Sequence, residues 1–88
     1  MIVTVAGGIY VAGAADEKAL FEAAIMTAQS SVPGARGLPM RVVEVTRDGI
    51  HVVAHVVSAG TGRVFAQLDY LKTKDGPAGC VLHLDDGT

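Results

Sequence analysis

The second half of the chain, from Arg41 to Leu84, alternates in hydropathy with a period of two, and this pattern restricts it to antiparallel strands. Glycine-containing turn signals divide the segment at 48–49, 60–62 and 75–77. Each is typical of a tight connection between neighbouring strands. The pattern therefore predicts a four-stranded meander in which every second side chain lies on the same face.

The turn positions also predict the register of this meander. With Asp48-Gly49 as a two-residue type I′ loop, Val45 is predicted to lie opposite Val52. With Gly60-Thr61-Gly62 as a three-residue loop, the alternation continues in phase into the third strand. The first predicted face carries Arg41, Val43, Val45, Arg47, Ile50, Val52, Ala54, Val56, Ala66, Leu68, Tyr70, Cys80, Leu82 and Leu84. The second carries Val42, Glu44, Thr46, His51, Val53, His55, Val57, Phe65, Gln67, Asp69, Leu71, Val81 and His83.

A helix is predicted before the meander. Asp16 is a typical N-cap residue, and Pro33-Gly34 is a typical helix end. Apolar residues recur between them at helical spacing and form one stripe, which must cover the first face of the sheet. The stripe comprises Leu20, Phe21, Ala24, Ile25, Ala28 and Val32.

Two β-rich segments, Ile2 to Val5 and Ile9 to Ala12, precede the helix, with Gly7-Gly8 between them. The glycines are compatible with a hairpin turn or with a bulge in one long strand. We favour the bulged strand, because an isolated pair of such short strands is marginally stable. The sequence thus predicts a single α+β domain over residues 1–88, with one helix packed on an antiparallel sheet in the order β-α-β-β-β-β.

The composition predicts self-association. Half of the 88 residues are hydrophobic, 18% are charged, and the mean hydropathy is +0.41. A chain of this size buries only about 60% of its unfolded surface, so a monomer would leave much aliphatic surface in water. The second face mixes valine, leucine and phenylalanine with histidines and acids, and is the predicted interface. The residues predicted to form it are Val53, His55, Val57, Phe65 and Leu71.

Charge argues against nucleic-acid and membrane partners. The net charge is −2 and the few lysines and arginines are scattered, so no basic patch is present for phosphates or anionic lipids. The uncharged residues 1–15 lack the basic start of a signal peptide and are too short to span a bilayer. The single cysteine, Cys80, excludes an intrachain disulfide. These features predict a cytoplasmic protein, or one within a phage particle.

Few residues suggest chemistry, and no metal or cofactor is predicted. His51 and His55 lie four apart on one strand, about 13 Å, which is too far for both to ligate one zinc ion. His83 and Asp69 are the candidate acid–base pair, and no other catalytic residue is predicted. Arg36, in the loop 33–39, is the candidate binding residue, because loops between fixed elements often carry binding.

Two partial resemblances carry no function over to this chain. The order of strand, helix and meander resembles the cystatin-like topology, but Gly60-Thr61-Gly62 replaces the inhibitory hairpin sequence of that family. Residues 9–13, the alanine-spaced helix and Val42-Val43-Glu44 resemble the opening half of dodecins. The chain has no tryptophan, so the aromatic stacking residue of a flavin site is missing.

The sequence therefore predicts a non-enzymatic, protein-binding or assembly subunit that forms a homo-oligomer or part of a larger complex, such as a phage structural component. Excess apolar residues without a catalytic motif support this prediction. One alternative is a small oligomeric enzyme, of the isomerase or cyclase type, with His83 and Asp69 at a subunit cleft. The other is a carrier of a small ligand.

Overall fold

One helix packs against one face of a six-stranded antiparallel sheet in the computed structural model of the chain, which describes residues 2–5, 8–11 and 15–84. The elements in chain order are β1 (Ile2–Val5), β2 (Gly8–Val11), α1 (Glu17–Ser31), β3 (Met40–Asp48), β4 (His51–Ser58), β5 (Val64–Thr73) and β6 (Gly76–Leu84). In space the strands lie in the order β1-β2-β6-β5-β4-β3. The predicted α+β class and antiparallel sheet are confirmed.

The segment before the helix forms two strands instead of one bulged strand. β1 pairs antiparallel with β2, with Ile2 opposite Val11 and Val5 opposite Gly8, and β2 pairs in turn with β6. The predicted order was therefore wrong, and the observed order is β-β-α-β-β-β-β. The short hairpin is not isolated, because β6 supplies the third strand that stabilises it. Gly7 and Ala12, which the prediction also included, lie outside the described residues.

The helix begins and ends where the sequence signals indicated. The Asp16 side chain accepts a hydrogen bond from the Ala19 amide at 2.8 Å, which satisfies one of the free N–H groups of the first turn. Val32 leaves helical geometry at ψ 127° before Pro33, as the proline ring requires of its predecessor. Leu20, Ala24 and Ala28 are fully buried against the sheet.

Strand β3 departs from the predicted register at Val45. Glu44 lies opposite Ala54, whereas Thr46 lies opposite Val53, so Val45 is an extra residue between two registered pairs. Such a bulge exchanges the faces of all the residues on one side of it. The side chains of β3 before Val45 therefore lie on the opposite faces of the sheet from those predicted.

The reversal places Val42 and Glu44 on the helix face and Val43 on the opposite face. The turn to β4 also shifts by one residue, to Gly49-Ile50, since Asp48 pairs with His51. Of the two turn residues, only Gly49 has a positive φ, +60°, as a type II′ turn requires at its first central position. The predicted type I′ turn was wrong, because it needs positive φ at both of its central residues.

The register between β4 and β5 was predicted correctly. Val56 lies opposite Ala66 and Val52 opposite Tyr70. Gly62 has the positive φ, +77°, expected at the left-handed position of the connecting loop. Together with the buried face of β6, these strands and the helix enclose the core. Its largest fully buried side chains are Tyr70, Phe65, Leu20, Leu68, Leu82, Val52 and Val56.

Phe65 lies in this core and not on the predicted interface. Val57 pairs with Val64 while Val56 pairs with Ala66, so Phe65 is an extra residue in β5. The bulge brings Phe65 into the helix-side cluster, where it is 1% exposed. Val57 is also buried, at 6% exposure, but lies outside that cluster. The placement of Phe65 on the second face was therefore wrong.

Candidate functional site

The sheet has one face covered by α1 and one face over which no other helix or strand of the described residues lies. We call the second of these the open face. Its side chains follow from the registered pairs of β3 to β6 and alternate along each strand. They include Arg41, Val43, Thr46, Asp48, His51, Val53, His55, Val57, Val64, Gln67, Asp69, Leu71, Val81 and His83.

Aliphatic side chains occupy much of the centre of the open face. Val53 lies opposite Asp69 on the next strand, and Asp69 lies opposite Val81, so a carboxylate stands between two valines. Both valines, and Val43 on β3, are only partly exposed, and Leu71 is 39% exposed. A sheet face that meets only water usually carries a cleaner set of polar side chains.

A polar cluster lies beside these valines. His83 Nε2 is 3.6 Å from Asp69 Oδ2, and Gln67 Nε2 donates a hydrogen bond to Asp69 Oδ1 at 3.1 Å. Gln67 lies opposite both His55 and His83 on its two neighbouring strands. The structure thus places His83 beside Asp69 and the Asp69 carboxylate between Gln67 and His83, and the acid–base role of the pair stays a prediction.

The remaining predicted residues do not join this cluster. His51 is exposed at the start of β4, opposite Leu71. Glu44 lies on the helix face because of the Val45 bulge. In the described part of the chain, no group of three or more histidine, cysteine, aspartate or glutamate side chains is arranged to hold a metal ion. Arg36 is exposed in its loop beside the fully buried Ala35, and its role in binding stays a prediction.

Cys80 is buried, as the alternation predicted, and burial raises the pKa of its thiol.

Two surface cavities border the helix instead of the open face. One, of about 340 Å³, is lined by residues 15–17 and 72–77. The other, of about 330 Å³, is lined by Ile9 and by helix residues that include Met26. Neither is lined by His83 or Asp69.

A partly buried polar contact beside the first cavity was missed by the sequence analysis. The Tyr70 hydroxyl donates to Glu17 Oε2 at 2.7 Å, and Lys72 Nζ lies 3.1 Å from Glu17 Oε1. Burial and the hydrogen bond to Glu17 raise the pKa of Tyr70, and the same bond lowers the pKa of Glu17. Glu17 and Tyr70 are 53 residues apart, so no local pattern connects them.

Removing this hydroxyl should destabilise the fold in a pH-dependent manner. We expect Tyr70→Phe to lower the free energy of unfolding by about 1 kcal/mol at neutral pH, because a hydrogen bond to a partly exposed carboxylate is lost. Since the folded-state pKa of Glu17 is lowered, its contribution is present above the unfolded-state pKa and is lost as the pH falls through the folded-state value. The difference between wild type and variant should therefore shrink in acid.

Urea unfolding at about pH 7 and about pH 3 measures this difference. Glu17→Gln is the matched variant, since it keeps the shape of the side chain and removes its charge. It should destabilise at neutral pH and reduce the pH dependence that Glu17 contributes. Equal stability of Tyr70→Phe and wild type at neutral pH would contradict the role of this contact.

No helix among the described residues combines the length and the apolar character needed to cross a membrane.

Comparisons with known proteins do not identify a family for this chain. No protein-family model matches the chain, and no curated protein or solved structure matches it significantly.

Proposed function

We propose that this chain is a non-enzymatic assembly subunit whose open face packs against a second copy of the same chain. The observation that carries the proposal is the partly aliphatic open face, over which no other helix or strand of the described residues lies. Exposed aliphatic side chains grouped among polar ones in this way often mark interaction sites.

The size of the open face suits a stable interface. The six strands are spaced about 4.8 Å apart. Two of them are four residues long and the other four are eight to ten residues long, so the sheet spans on the order of 700 Å². Specific protein interfaces bury about 800 Å² on each partner. Contact over most of this face would therefore bury an area close to that of an ordinary dimer.

A second copy fits this face for a geometric reason. Two sheets of the same twist can pack as aligned layers about 10 Å apart, with their inner side chains interdigitated. Such a contact is isologous, so a two-fold axis brings the same patch to both subunits. The Asp69 carboxylate already has Gln67 and His83 as partners within its own subunit, which lowers the penalty of covering it.

Repeated self-association is also what a structural component of a larger particle requires, and a phage virion part is one such role. The small chain, half of it hydrophobic and with 11 glycines, suits packing among copies. The proposal specifies the contact surface of the subunit. The size and shape of a larger particle would depend on how the copies are arranged.

A lysine on the open face should separate the copies. We expect native mass spectrometry and sedimentation at about 10 µM to show a smaller assembly for Val53→Lys than for wild type. Val53 lies opposite Asp69, but removing an ammonium from water costs more than its attraction to that neighbouring carboxylate returns. Val53 lies outside the helix-side core cluster, so the variant should still fold.

Ile50→Lys is the matched control. Ile50 is 53% exposed in the turn between β3 and β4, away from the centre of the open face. It should assemble like wild type. A wild-type protein that sediments as a monomer, or equal assembly of all three proteins, would overturn the proposal.

The His83–Asp69 pair favours a second candidate, an acid–base site in a cleft between subunits. An NMR pH titration of His83 in the assembled protein tests it, with Asp69→Asn as the matched variant. The candidate requires that the substitution shift the titration of His83, and an unchanged titration would contradict it. Native mass spectrometry of untagged protein also reports any retained small ligand, which would support the carrier alternative instead.

A further inference from the structure

The two edges of the sheet differ in their protection against pairing with another chain. The outer strand β3 contains the Val45 bulge and several charged residues, which are common natural defences of an edge. These charged residues are Arg41, Glu44, Arg47 and Asp48. The opposite outer strand, β1, has the sequence Ile-Val-Thr-Val, with no charge and no proline. Within the described residues, β1 contacts β2 and no other helix or strand.

We propose that β1 pairs antiparallel with β1 of a second copy, so that two sheets join edge to edge across a two-fold axis. The proposal rests on the proposed function in taking another copy of this chain as the partner. It adds a contact surface that is separate from the open face.

The backbone of β1 presents hydrogen-bonding groups for this contact. Val5 lies opposite Gly8 with two residues between them, the spacing at which the closing pair of a hairpin is hydrogen bonded. Antiparallel pairs alternate between bonded and non-bonded types. We therefore expect Thr4 and Ile2 to direct their N–H and C=O groups away from β2.

An independent count across the sheet gives the same assignment. The Lys72 N–H donates a hydrogen bond to the Ile50 carbonyl at 2.7 Å, so the backbone N–H and C=O groups of Lys72 point towards β4. Those of Leu68, four residues away, point in the same direction. Leu82 and Leu68 are therefore a non-bonded pair, and the backbone polar groups of Leu82 point towards β2. The backbone polar groups of Ile9, opposite Leu82, then point towards β6 and not towards β1. Thr4, opposite Ile9, therefore directs its own N–H and C=O groups outwards, at the edge of the sheet.

The exposed groups are complementary to those of an identical strand. When Ile2 pairs with Thr4 of the partner subunit, and Thr4 with Ile2 of the partner subunit, about four backbone hydrogen bonds form. The two-fold axis then passes beside Val3, and the two Val3 Cα atoms form a non-bonded pair about 4.5 Å apart. Neither strand carries a charge that would repel its copy.

Edge and face contacts have different two-fold axes. A chain that uses both builds either a closed tetramer with dihedral symmetry or an open filament, depending on the angle between the axes. The edge contact thus converts a dimer into a larger assembly.

Cysteine cross-linking tests the edge contact directly. Val3→Cys should form a disulfide-linked dimer under mild oxidation with oxidised glutathione, because its Cα separation lies within the range that a disulfide spans. In the same pairing, the two Thr4 Cα atoms would be about 8 Å apart, offset by two residues along the strand. Thr4→Cys, the matched control, should therefore remain largely uncross-linked. The native Cys80 is 3% exposed and should not react.

Both cysteine variants are made in the wild-type chain and in the Val53→Lys chain, and their dimers are quantified on non-reducing gels. Cross-linking of Val3→Cys at least ten times faster than Thr4→Cys, in both chains, supports the edge contact. Equal rates at the two positions, or no cross-link at either, would overturn it. Failure of the open-face proposal is seen separately, as Val53→Lys that assembles like wild type.

Discussion

Replacing Phe65 with alanine should lower the free energy of unfolding by about 3–5 kcal/mol, a large fraction of the total for a small domain. Phe65 is 1% exposed and belongs to the cluster between helix and sheet. Truncation would leave a cavity in a core that contains few other aromatic rings. The Arg63 guanidinium, 4.8 Å from the ring centroid, would also lose its contact with the aromatic face.

Leu71→Ala is the matched control for this substitution. Leu71 is 39% exposed on the open face, so its loss should cost less than about 1 kcal/mol of folding free energy. Urea unfolding compares the two variants at one protein concentration. If Phe65→Ala folded as stably as wild type but no longer assembled, Phe65 would belong to the interface, as the alternation alone indicated.

Substituting Gly76 with alanine should lower the free energy of unfolding by about 3 kcal/mol. Gly76 has a φ of +114°, a conformation that side chains with a Cβ rarely adopt. A Cβ atom built there would lie 2.9 Å from the carbonyl oxygen of Ala15. That carbonyl precedes the helix N-cap, so relief of the clash must move either the start of α1 or the turn between β5 and β6.

Gly37→Ala separates the two contributions. Gly37 also has a positive φ, +79°, but no atom lies within 4 Å of the position that its Cβ would take. Only the backbone penalty of about 1–2 kcal/mol should remain. Thermal unfolding followed by circular dichroism compares both variants with wild type. Similar losses in the two variants would contradict the close approach between Gly76 and Ala15.

The antiparallel pairing of β4, β5 and β6 was predictable because a wrong register would have lost much buried apolar surface. Shifting a strand by one residue would move Leu68 and Leu82 from the core to water. The Gly62 turn and the alternation indicate the same register, so the two signals reinforce each other. The proximity of His83 and Asp69 was predicted from the registers that the last turn allows, and the structure places Nε2 of His83 3.6 Å from Oδ2 of Asp69.

The face occupied by each residue of β3 was not predictable in the same way. Val42 and Val43 are adjacent, so either can be placed inwards without loss of apolar burial. The same holds for Val64 and Phe65 at the start of β5. Where both alternatives bury an apolar side chain, periodicity cannot locate a bulge, and the packing of neighbouring strands and the helix decides its position.

The sequence by itself determined the bounds of the helix, the antiparallel pairing of the meander and the partly apolar character of its second face. These depend on capping residues, turn glycines and spacing, all of which act over a few neighbouring residues. Only the tertiary structure decided the two bulges, the Glu17–Tyr70 contact and the position of β1 as an outer strand of the sheet. Each of these depends on which distant segments meet, because their free energies arise from packing and hydrogen bonds between residues far apart in the chain.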